Sequence, residues 1–143
     1  MVGIAVAVAA GIFLGWRLNG LGSRGTQVEV LGTQAWTDTG VDCRAGDVLG
    51  ITAAGVVYHN NKDAGTGVGP DGDQLPSRRK ANVRGLPDAN HAALIGSIDR
   101  RQPYFVVGTS LAYSCPRQGR LFLGINDHDV ANNAGRFRAT IKR

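Results

Sequence analysis

Between two stretches of alternating apolar residues lies Gly124-Ile125-Asn126-Asp127-His128-Asp129-Val130-Ala131-Asn132-Asn133-Ala134-Gly135. Its eight residues from Asn126 to Asn133 carry two carboxylates, three side-chain amides and one imidazole. Hard cations such as calcium take six to eight oxygen ligands, from carboxylates, Asn amides and backbone carbonyls. A short loop of this composition can fold round such an ion and add its own carbonyls. The spacing is not that of an EF-hand, so the cage would be of another kind. The competing reading is a polar hairpin turn in which Asp and Asn side chains hydrogen-bond their own backbone.

Other chemistries find less support. His59, His91 and His128 are far apart in the chain, and no Ser or Cys nucleophile motif accompanies them, so each reads as a surface or turn histidine. Asp127 and Asp129 sit too close together on one loop to flank a scissile glycosidic bond. Gly65-Thr66-Gly67-Val68-Gly69 lacks the strand-to-helix context of a phosphate-binding loop. No enzymatic constellation emerges.

The elements that must hold the loop are strands. Arg136 to Lys142 alternates, with Phe137, Ala139 and Ile141 on the inward face; Leu121, Leu123 and Ile125 form a second inward row. Val48 to Thr52, Ala93 to Ile98, Tyr104 to Val107 and Leu111 to Ser114 also read as strands. Turn signals at Ala45-Gly46-Asp47, Gly69-Pro70-Asp71-Gly72 and Gln118-Gly119 separate them. The chain has 143 residues, of which 21 are Gly. Length and composition suit one all-β domain, an antiparallel β-sandwich, with a β-barrel as the alternative. Asn60 to Asn90 is long, polar and irregular by sequence, either a binding loop or a solvated excursion.

The N-terminus differs. Val2 to Leu18 is apolar except for Arg17, and at 1.5 Å per residue a helix there reaches about 25 Å. Trp16 and Arg17 at its end suit a membrane interface, and no basic region precedes it as in a signal peptide. Residues 1–18 are therefore expected to form a single transmembrane anchor helix, 19–26 a Gly-rich linker and 27–143 the sandwich. Gly3, Ala7, Gly11 and Gly15 recur every fourth residue, a stripe through which other transmembrane helices could dock. Arg17 and Arg24 would favour a cytoplasmic domain, but the cysteines and the polar loop argue for an extracytoplasmic one, periplasmic or at the cell surface. Cys43 and Cys115 each precede a turn; they suit a disulfide in an oxidising compartment, or two unrelated buried thiols. The formal net charge is +5, with scattered basic residues and no aromatic-rich binding strand, so nucleic acid is not an expected partner.

Trp36 to Asp47, Ile51 to Gly55, Gly69 to Asp73, Ala93 to Ile98 and Gly119 to Ile141, in that order, resemble the PA-I-type bacterial lectins, which are calcium-dependent and galactose-binding. The resemblance implies a calcium ion at one end of the sandwich, held by Asp127, Asn132 and Asn133 and by a backbone carbonyl of Tyr58 or His59. It implies that Asn132 also touches the sugar, with His128, His59 and Asp73 as further sugar-side candidates. The Asp-to-Asn-Asn loop is two residues shorter than in the galactose lectin, so Asp129 would replace a ligand there or go unused. Gln74-Leu75-Pro76 stands where the lectin has its sugar-contacting His. Two functions follow as expectations: a membrane-tethered, calcium-dependent carbohydrate-binding module, or an accessory subunit of a membrane complex that uses a lectin-like sandwich as a protein scaffold.

Overall fold

The computed structural model describes residues 24–143. Two antiparallel sheets face each other across one core. The strands are β1 (Thr26–Leu31), β2 (Trp36–Cys43), β3 (Val48–Tyr58), β4 (Gly67–Val68), β5 (Leu94–Ile98), β6 (Arg101–Val106), β7 (Ser110–Ser114), β8 (Gly119–Ile125) and β9 (Ala134–Lys142). One sheet runs β1-β9-β3-β4, with β7 also paired to β3; the other runs β2-β8-β5-β6. This is a sandwich and not the alternative barrel. The expected transmembrane helix, its Gly3/Ala7/Gly11/Gly15 stripe and most of the expected linker lie outside the described residues. Among the described residues no helix is long and apolar enough to cross a membrane. β1 already begins at Thr26, the last residue of the expected linker.

Alternation builds the core as expected. Phe137, Ala139 and Ile141 of β9 and Leu121, Leu123 and Ile125 of β8 are all buried, joined by Leu49, Ile51 and Val57 of β3. Burial of such side chains contributes roughly 1.5–3 kcal/mol each, which makes this interior the main source of stability. Phe105 of β6 and Tyr113 of β7 stack at 3.8 Å between ring centroids, closing the gap between the two sheets at one edge. β5 departs from simple alternation: all five residues are buried. Leu94 and Ile98 face the core. Ile95 stands beside Gly124, itself beside Trp36, on the outer face. The segment between Asn82 and Asn90 lies over that face; a Cβ on Gly85 would come 2.5 Å from the Tyr104 ring, and Tyr104 meets Trp36 edge-on at 5.0 Å.

Cys43, at the end of β2, is bonded to Cys115, just after β7, so the disulfide ties one sheet to the other. The Gly46 amide donates to the Cys115 carbonyl and the Cys115 amide to that of Asp47. This pins the end of the sandwich opposite the polar loop.

Candidate functional site

The end of β3, the start of β5, the end of β8 and the start of β9 converge at one end of the sandwich, because antiparallel pairing of β3 with β9 and β5 with β8 places them there. The connections at that end are Tyr58 to Gly67, the long segment to Leu94, and Asn126 to Asn133. Asn60 to Asn90, largely exposed, is less irregular than the sequence suggests. It contains two short 3-10 helices, Ala64–Thr66 and Pro76–Ala81, and the small strand β4.

Asn126 ties the long segment to the site. It is fully buried. Its Oδ1 accepts from the Val83 amide at 3.1 Å, and its Nδ2 donates to the carbonyls of Leu86 at 3.3 Å and Asn90 at 3.1 Å. One amide side chain therefore meets three half-buried backbone groups; the Val83 amide and the Leu86 carbonyl have no other partner, while the Asn90 carbonyl also accepts from the Ala93 amide at 3.4 Å.

Asp127, also buried, accepts from the Asp129 amide through Oδ1 at 2.9 Å. Its Oδ2 faces His91 Nε2 at 3.8 Å. Exposed Asp129 accepts from the Ala131 amide at 3.3 Å. Both aspartates thus make the self-capping contacts of a polar turn, while Asp127 keeps one oxygen for other work. Asn132 is exposed, and its carbonyl accepts from the Asn61 amide at 2.7 Å, which joins this loop to the one after β3. Asn133 is buried; its Nδ2 donates to the Gly32 carbonyl at 2.9 Å, and its Oδ1 is buried with no partner. Because Gly32 offers only an acceptor there, the amide orientation is fixed and the unpartnered atom is the oxygen. Half-buried Tyr58 ends β3 at the same end of the sandwich. The His128 side chain is exposed, and its backbone amide donates to the Ala81 carbonyl.

The histidines differ from the sequence reading. His59 and His91 are not surface residues: they are 7% and 3% exposed, and their rings meet edge-on at 4.9 Å. His59 Nε2 pairs with Asp73 Oδ2 at 3.0 Å, and Arg78 Nε lies 3.7 Å from the same oxygen. Asp73 Oδ1 accepts from the Leu75 amide at 2.9 Å. Burial pushes the Asp73 carboxyl upward, but the Leu75 amide, His59 and Arg78 together outweigh it and hold its pKa below the usual carboxylate value. With both oxygens engaged, Asp73 positions His59. Nothing in the residue order marks the contact of His59 with His91, since 32 positions separate them and only the fold brings them together.

His91 has a defined tautomer. Asn82 Nδ2 donates to the carbonyls of Pro87 at 3.0 Å and Ala89 at 2.7 Å, so its Oδ1 must accept, and at 3.1 Å its donor is His91 Nδ1–H. Burial lowers the His91 pKa, outweighing the attraction of Asp127. The ring is therefore neutral at pH 7, and Nε2 offers a lone pair beside the Asp127 carboxylate. Two acceptors side by side call for a bridging donor or cation. A depressed imidazole pKa also couples to stability. The unfolded chain takes up a proton near the ordinary value of 6.5 while the folded one resists, so stability is full above that pH and declines as pH falls below it. Melting between pH 7.5 and pH 5 is expected to fall less steeply in His91→Gln than in the native chain; parallel slopes would contradict the assignment.

Among the described residues no three His, Cys, Asp or Glu side chains converge as metal ligands. A zinc-type centre of imidazoles and thiolates is thus not formed there. An oxygen site built mainly from amides and carbonyls is a different matter. The unpartnered buried Asn133 oxygen and the spare Asp127 oxygen have the hard-donor chemistry of calcium ligands.

No family model and no curated protein sequence matches the chain. Among solved structures, the EclA N-terminal domain, described as a PllA-like lectin, superposes with a TM-score of 0.64 at 23% identity, covering 82% of this chain and 94% of that one. That likeness is one of fold: both are two-sheet antiparallel sandwiches.

Proposed function

We propose that the domain is a calcium-dependent carbohydrate-binding module. The observation that carries this reading is the buried, unpartnered Oδ1 of Asn133, in a loop that also holds the spare carboxylate oxygen of Asp127. A buried polar atom without a partner costs roughly 1–3 kcal/mol, and a bound cation removes that cost. In this reading Asp127, Asn132, Asn133 and a carbonyl of Tyr58 or His59 hold the ion, and Asp129 stays in its turn. When bound, calcium supplies open positions that exchange water for neighbouring sugar hydroxyls. The chain's own residues orient the sugar: Asn132 from the exposed side of the loop, His128 beside it, and His91 Nε2 as an acceptor for a hydroxyl.

Carbohydrate binding accords with the lectin-type fold of the EclA domain. The disulfide favours an oxidising, extracytoplasmic compartment. The apolar segment Val2 to Leu18 would tether the module to a membrane. A scaffold role is less favoured, because the exposed large apolar residues, Val48, Val56, Leu75 and Val106, are spread over several elements among the described residues. Binding of the full chain to a glycan array in calcium, abolished by chelator, tests the reading; chelator-insensitive binding would contradict its metal dependence. Thermal melting provides a second test. Asp127→Ala is expected to lose the calcium-induced rise in melting temperature shown by the native chain, which for one site at a hundredfold excess over Kd corresponds to about 2.7 kcal/mol. An equal rise in both proteins would place the ion elsewhere.

A further inference from the structure

Beside the proposed calcium loop lies a cleft of about 210 Å³ lined by His59, Ser77, Arg78, Lys80, Ala81 and His91. It adjoins that loop directly, because the His128 amide donates to the Ala81 carbonyl at 2.9 Å. Its two sides differ in chemistry. The floor is buried and fixed: His59 is locked by Asp73, and His91 by Asn82. With Nδ1–H given to Asn82 Oδ1, His91 Nε2 makes no hydrogen bond to any described residue and is the ring atom left for a ligand hydroxyl. The rim, from the short helix Pro76–Ala81, is cationic. Arg78 Nε lies 3.7 Å from Asp73 Oδ2, beyond hydrogen-bond distance, and on an exposed side chain its guanidinium remains available to a ligand. Lys80 is exposed and forms no ion pair with any described residue. The one carboxylate beside the rim, Asp73, is already held by the Leu75 amide and His59.

Donor-hungry floor and oxyanion-hungry rim match a single ligand class. A saccharide supplies hydroxyl donors to the floor, and a carboxylate or sulfate on it meets the Arg78 fork and Lys80 in charge-assisted hydrogen bonds. We propose that this cleft makes the module selective for acidic saccharides, with Arg78 and Lys80 as the specificity-determining residues. The proposal rests on the carbohydrate-binding reading and refines it.

The test is isothermal titration of the full chain, in calcium and low salt, with matched sugars: galactose and glucose, their uronic acids, and their 6-sulfates. The acidic members are expected to bind at least tenfold tighter than the neutral ones, and the advantage shrinks at 0.5 M salt. Whether the uronate or the sulfate gains more identifies the anion that the rim takes. In Arg78→Gln/Lys80→Gln the acidic-to-neutral affinity ratio falls toward one. Arg138→Gln/Lys142→Gln removes the same charge from the exposed face of β9 and leaves the ratio intact. Equal affinity for neutral and acidic sugars overturns the acidic selectivity alone, and so does a ratio that falls equally in both variants. If none of the sugars binds, the carbohydrate reading falls with it.

Discussion

Replacing Cys43 and Cys115 together with alanine is expected to cost about 4 kcal/mol of stability and to lower the melting temperature by roughly 10–20 °C. The two cysteines are separated by 72 residues, so the bond closes a long loop in the unfolded chain, and loop-closure entropy grows with length. The bond also joins the end of β2 to the residue after β7, across the two sheets, where hydrogen bonds among Gly46, Asp47 and Cys115 already hold the turn. Calorimetry of the native chain with and without reductant, beside the double variant, measures the effect. A shift below about 2 °C would show that the sandwich does not depend on the bridge.

The second large effect is expected at Asn126. Asn126→Ala leaves the Val83 amide and the Leu86 carbonyl without partners and the Asn90 carbonyl with only its long bond from the Ala93 amide, at a cost of about 3 kcal/mol. Asn126→Asp is no rescue: it keeps the acceptor for Val83 but turns a carboxylate oxygen toward two carbonyls. Urea unfolding reads the total loss. Hydrogen exchange at the Val83 amide reads its location, and that amide is expected to lose protection before the amides of β9. Uniform loss of protection would mean that the segment over the outer sheet face is not a separate unit.

The strands that were legible in the sequence are those in which period-two alternation is undisturbed. β8 and β9 are buried on the residues that alternation marks, and β5, β6 and β7 fall within a few residues of their expected spans. β2 was not read as a strand, because its pairing with β8 is interrupted between Asp38 and Asp42. There Gly40 has φ +73 and donates to Asp38 Oδ1, and although Thr39, Val41 and Cys43 alternate inward, that row is short and begins on a polar residue, so no apolar period marks it in the sequence. β3 runs on to Tyr58 where the sequence suggested an end at Thr52. Gly55, at φ +109 and with the Arg136 carbonyl 2.5 Å from a would-be Cβ, lets the strand bend without stopping.

The polar loop was visible because its ligand-type residues are neighbours in the chain. Its supporting shell was not, because it is assembled from distant pieces. Asn126 anchors residues from Val83 to Asn90, Asn82 sets the His91 tautomer, and Asp73 holds His59 against His91. Side chains that cap remote backbone carry no period and no spacing. In the sequence they look like ordinary turn residues, and only the converging strand ends give them partners.

Calcium titration of the full, chelator-stripped chain by calorimetry addresses the central claim most directly, with Asn133→Ala alongside. One ion is expected per chain, with a dissociation constant on the order of 10⁻⁴–10⁻³ M as for extracellular sites, and at least a tenfold loss in Asn133→Ala. No binding at 10 mM calcium, or equal binding by the variant, would contradict the claim that the unpartnered Asn133 oxygen belongs to a metal site.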